Sequence, residues 1–149
     1  MSIKNTLHYA SHLKWAFLAA VISLIIYAFV ALPENLISII GTIIFLAGIQ
    51  MGLESLSDIE KMSEKEKTFY ANSKYVKTQN SILLAVIILL AIISLLFLSL
   101  KFVFPSKVSL FNAFFDLGLD CWAFILGLLC LLKSTYDKHS AAIKEAQAH

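Results

Sequence analysis

Two aspartates four residues apart, Asp116 and Asp120, lie inside the apolar run LFNAFFDLGLDCWAFILGLLCLL at residues 110–132. About 20 such residues, each rising about 1.5 Å, cross a hydrocarbon core of about 30 Å. Counted from position 110, Asp116 falls about 9 Å and Asp120 about 15 Å along the axis, which puts Asp120 near the midplane. A carboxylate at that depth is expensive and by default marks function. No lysine falls within the apolar cores, so the acid must take up a proton, bind a cation or keep water around it.

Groups at a similar depth are Tyr27 and Ser23 from the first apolar run, Thr42 from the second and Ser94 from the third. Three readings stay open. The aspartates hydrogen-bond to those hydroxyls and lock helices together; or carboxylates from several subunits line a cation or proton path; or the helix proper starts near position 117, with Asp116 among headgroups and residues 108–115 along the surface.

The helix that carries the acids has a patterned face. Ala113, Asp116, Asp120, Ala123, Gly127, Cys130 and Ser134 follow one another at alternating spacings of three and four, and all are small or polar. Such a face marks close packing of a second helix in lipid. The second run repeats the pattern with Ser38, Gly41, Phe45, Gly48, Gly52 and Ser55, and Gly48 and Gly52 form a GxxxG pair. That pair serves either packing inside the molecule or contact with a second copy.

Four spans position these residues, at about 15–32, 36–53, 81–100 and 110–132. Pro33, Glu34 and Asn35 make a tight turn after the first, and Pro105 closes the turn after the third. The third span, without charge or glycine, is expected to face lipid over most of its surface. Residues 1–14 read as a surface helix with Trp15 at the interface, and no cleavable signal is expected. Leu53, Leu56, Ile59 and Met62 carry a helical stripe out of the second span, predicting a charged helix through about position 69, then a turn at Ala71, Asn72 and Ser73. Residues 133–149 form a polar, partly helical tail. The fold class is therefore all-α: one polytopic membrane domain, a four-transmembrane-helix bundle made of two hairpins.

Composition agrees, with hydrophobic residues at 59% and charged ones at 15%. A net charge of +2 spread over short segments gives no footprint for nucleic acid. Ten lysines flank the ends shared by both termini and residues 54–80, against Lys101 and Lys107 on the other side. By the positive-inside rule both termini are expected to be cytoplasmic. All 12 cationic residues are lysine, which hints at a bacterial source and an inner-membrane location. Cys121 and Cys130, about 13 Å apart along one helix and on opposite sides, cannot bridge each other.

Weaker constellations remain. Gln50, Glu54 and Asp58 recur every four residues, with Lys61 and Lys65 beyond, and read as a solvated flank or as a docking surface for a cytosolic protein. His8 and His12 have a zinc-type spacing but need His139 or an acid to complete a site, so no metal is expected. No phosphate loop or nucleophile motif is present; neither an enzyme nor a cofactor is expected. The sequence thus predicts a homo-oligomeric membrane subunit that docks a cytosolic partner and senses or transmits a membrane event, as stress, toxin-immunity or phage-defence components do. The alternative is a cation or proton channel that uses Asp116 and Asp120.

Overall fold

A computed structural model describes residues 13–31, 34–55, 62–103 and 108–148. Among them are five helices: α1 (Lys14–Ala31), α2 (Leu36–Ser55), α3 (Glu64–Ala71), α4 (Ser73–Val103) and α5 (Val108–Ala148). All but α3 contain a stretch long and apolar enough to cross a membrane. At about 1.5 Å per residue, α4 is about 46 Å long and α5 about 60 Å, so each outruns a hydrocarbon core of about 30 Å. Both overhang at the α3 end, where the sequence turns polar at residues 73–80 and 133–148.

Helix α5 is the hub. It packs against α2, α4 and α3, whereas α1 packs on α2 alone and, among the described residues, reaches neither α4 nor α5. The long helices therefore form a row, α1–α2–α5–α4. The α1 residues turned toward α2 are Phe17, Val21, Leu24 and Ala28, at spacings of four, three and four. Lys14 Nζ lies 2.6 Å from Glu54 Oε2 and ties the start of α1 to the end of α2.

The α4–α5 contact is antiparallel, pairing Phe97 with Phe114 at one end and Ile87 with Ile125 and Leu128 at the other. Most of α4 is exposed; its inward line is Val76, Leu83, Ile87, Leu90 and Ser94. That agrees with a span that faces lipid over most of its surface.

The charged segment differs from expectation. The stripe that follows the second span predicts one helix through position 69, but α2 ends at Ser55 and a separate helix begins after Ser63. The cause is local chemistry. Ser63 and Glu66 form a capping box, with the Ser63 hydroxyl accepting from the Glu66 amide at 3.3 Å and Glu66 Oε2 accepting from the Ser63 amide at 2.8 Å. Asn72 then ends α3 and caps α4, its Oδ1 accepting from the amides of Lys74 and Tyr75. Asp58, Lys61, Leu56 and Ile59 lie outside the described residues, as do the N-terminal segment with His8 and His12, Pro33 and Pro105.

Candidate functional site

Helices α2 and α5 approach each other closely at glycine. A Cβ placed on Gly48 would fall 2.5 Å from the Ala123 carbonyl oxygen, and one placed on Gly127 would run into the backbone of Gly48. Backbone therefore meets backbone along α2 and α5. About two turns before Gly48, Gly41 faces Asp120 and Leu117 instead, and the space that a side chain on Gly41 would fill is taken by the Asp120 carboxylate. Since Gly41 meets Asp120 and Gly48 meets Ala123 and Gly127, α2 and α5 run in the same direction.

Asp120 is half-buried in this seam, and Asp116, one turn earlier, is exposed. No ion pair or hydrogen bond to either carboxylate is formed among the described residues. Ala113 and Ala123 are half-buried on the same helix. Among the described residues Gly52 has nothing within 4 Å of where its Cβ would be, so the GxxxG pair is split: Gly48 is used inside the molecule and Gly52 is open.

The hydroxyls expected near the acids are elsewhere. Ser23 and Tyr27 are exposed on α1, which does not touch α5, and the Ser23 hydroxyl donates to the Ala19 carbonyl of its own helix at 2.8 Å. Thr42 donates to Ser38 at 3.0 Å. Ser94 does reach α5, but its fully buried hydroxyl donates to the Gly118 carbonyl at 2.8 Å. The register explains why. Gly118 lies two residues from Asp120, about 200° around the helix, so it faces α4 while Asp120 faces α2.

No family model, curated protein or solved structure matches this chain. Its chemistry has to be read from its own geometry.

A second polar assembly stands at the α3 end, about 25 residues along α5 from Asp120. Lys67 Nζ lies 2.6 Å from Glu145 Oε1 and 3.1 Å from Glu64 Oε1. His139 Nδ1 lies 2.6 Å from the Tyr70 carbonyl oxygen, a contact that requires the proton on Nδ1, and Lys138 stands over the Tyr70 ring at 5.5 Å. The bond to Glu145 holds the Lys67 ammonium above its ordinary pKa, and burial pushes the Tyr70 phenol up. Bonds from the Ser63 backbone and hydroxyl hold Glu66 below the usual carboxylate range. Among the described residues no group of three or more His, Cys, Asp or Glu could hold a metal ion.

Of the residues expected to form a docking face, Lys65 is exposed on α3 and Glu54 is engaged with Lys14. Sequence reasoning passed over Gly118, Glu145 and the Ser63–Glu66 pair. The pair had a signal, the Ser-x-x-Glu spacing. Gly118 had only its lack of a side chain, and nothing in the spacing of Glu145 pointed to Lys67.

Proposed function

We propose that this chain is the membrane-embedded subunit of an assembly, in which α3 and the outer part of α5 dock a cytosolic protein and α5 passes on to it changes arising in the membrane. The observation that carries this reading is the continuity of α5. One unbroken helix runs from the Asp120 seam to the Lys67–Glu145 clamp, about 38 Å away along the axis. Such a rod transmits rotation or displacement without a hinge.

The lysine distribution supports an arrangement of two hairpins with both termini and α3 on the cytoplasmic side of a bacterial inner membrane. The open end of the row at α1 and the unoccupied Gly52 support assembly with further copies of the chain. Exposed Lys65, with Asp58 and Lys61 before it in sequence, supplies the charged docking face, and stress, toxin-immunity or phage-defence signalling is the class of role that such a subunit serves.

A photo-crosslinking residue at position 65 should give one discrete protein adduct in cells, while one at Glu34, at the opposite end of α2, should not. In lipid nanodiscs, Asp120→Asn should change hydrogen exchange at the α3 amides several-fold. Adducts at neither site, with α3 exchange indifferent to Asp120, would remove this reading.

The unpaired Asp116 and Asp120 favour a second reading, a cation or proton path. Vesicles containing the chain would then show a flux that Asp120→Asn abolishes, whereas the docking reading expects flux at the empty-vesicle baseline.

A further inference from the structure

A groove of about 490 Å³ lies between α4 and α5, away from both the Asp120 seam and the α3 clamp. Its floor is Leu84, Leu129 and Leu132, and its rim is Asn80, Ser81, Lys133 and Tyr136. The division follows the sequence. The apolar run of α4 begins immediately after Ser81, and that of α5 ends at Leu132, immediately before Lys133. Both helices thus change from apolar to polar at the groove, which puts its rim at headgroup level and its floor at the first acyl carbons.

The charge of the rim is one-sided. Lys133 is exposed and, among the described residues, forms no ion pair; no acid lines the groove. The nearest acid on α5, Asp137, stands a turn further out, and Lys77 stands a turn out from Ser81 on the same side of α4. Asn80 and Ser81 complete the rim with neutral polar side chains. Tyr136, largely exposed, offers a hydroxyl at the same level.

The geometry points to a binding site for one anionic phospholipid. Its phosphate meets Lys133, beside the Tyr136 hydroxyl, and one acyl chain lies along Leu84, Leu129 and Leu132. The lysine supplies charge and the leucines exclude water-soluble phosphates. This inference needs only that α4 and α5 cross the bilayer, and it is independent of the docking reading.

Native mass spectrometry of the full chain in detergent, titrated with phosphatidylglycerol and with phosphatidylcholine of the same acyl chains, tests it. One phosphatidylglycerol should be retained per chain, about five- to ten-fold more tightly than phosphatidylcholine. Lys133→Gln should remove most of that preference, while Lys65→Gln, which deletes the same charge on α3, should leave it intact. Equal retention of the two neutral-tailed lipids by the native chain, equal loss with Lys65→Gln and Lys133→Gln, binding of inorganic phosphate that matches the lipid, or a second copy of the chain filling the groove would each overturn it. Circular dichroism of each variant confirms that the helices are kept.

Discussion

The α2–α5 seam and the α3–α5 clamp are two contacts on one helix, and they are built from opposite materials. In the seam the side chains are withdrawn: Gly48 and Gly127 let backbones touch, and the one carboxylate present fits where Gly41 has no side chain. In the clamp the side chains do the joining, through Lys67 with Glu145, His139 with the Tyr70 carbonyl, and Lys138 over the Tyr70 ring. Surroundings explain the contrast. Lipid tails are as apolar as leucine, so in a membrane helices gain by close packing and not by burying oily surface. In water, a short polar helix such as α3 needs caps and charge pairs to stay formed and to stay in place.

One substitution made at several glycines breaks the seam in a graded way. Gly127→Ala and Gly48→Ala drive a methyl group into backbone and should cost about 3 kcal/mol, the upper part of the usual range for overpacking. Gly118→Ala meets the Ser94 carbonyl oxygen, Phe97 and Leu98 at 3.2 to 3.3 Å and should cost less, since these contacts are tight without the overlap found at Gly48 and Gly127. Gly41→Ala meets the mobile end of Asp120, so its effect should fall on the position of the carboxylate more than on stability. Gly52→Ala meets nothing and should stabilise by up to about 1 kcal/mol through helix propensity. Equilibrium unfolding in mixed micelles ranks the series. Equal costs at Gly48 and Gly52 would mean that α2 packs on another face.

On the opposite flank of α5, Ser94→Ala removes the hydroxyl that joins α4 to Gly118 and leaves the packing nearly intact. The expected loss is about 0.6 kcal/mol, in keeping with hydrogen bonds between helices in membranes. The clamp should answer to a third change. Ser63→Ala removes half of the capping box and should cost about 1 kcal/mol, felt as faster hydrogen exchange across residues 64–71 with no change in the unfolding of the seam.

What the sequence made legible divides along the same line. The small-residue stripe announced the seam because glycine and alanine at spacings of three and four have few other uses in a span, and Asp120, Ala123 and Gly127 do face α2. The same stripe also contained Asp116 and Cys130, which are exposed. A straight α-helix drifts about 20° per heptad against such a pattern, and steps of three and of four residues fall on opposite sides of its centre line, so its members do not all meet one partner. Depth along the membrane could be counted from sequence, but the angle around the axis and the order of helices could not. Tyr27 and Ser23 share a level with the acids, yet α1 is separated from α5 by the whole of α2. The clamp was least legible, because Glu145 lies 78 residues from Lys67 and both resemble any solvated charge.

The smallest effect expected is the response of the clamp to pH, and its two limbs have separate origins. Glu66 is held below its ordinary pKa by Ser63, so the stability it contributes is present above about 4.3 and is lost as pH falls through the lowered value. Lys67 is held above its ordinary pKa by Glu145 and Glu64, so its contribution is present below about 10.4 and is lost as pH rises through the raised value. The spacing between α3 and the outer part of α5 should therefore be flat across the neutral range and should broaden at both extremes. Spin labels at Lys65 and Lys144, read by their distance distribution, follow it. Glu66→Gln should remove the acid limb and spare the alkaline one, and Glu145→Gln should weaken the alkaline limb and spare the acid one. Added salt should blunt the alkaline limb more, because the Lys67 pairs lie at the surface whereas the bonds that Ser63 makes to Glu66 are short-range and local. A distance that follows pH through the neutral range would place control of the clamp in some group other than these two.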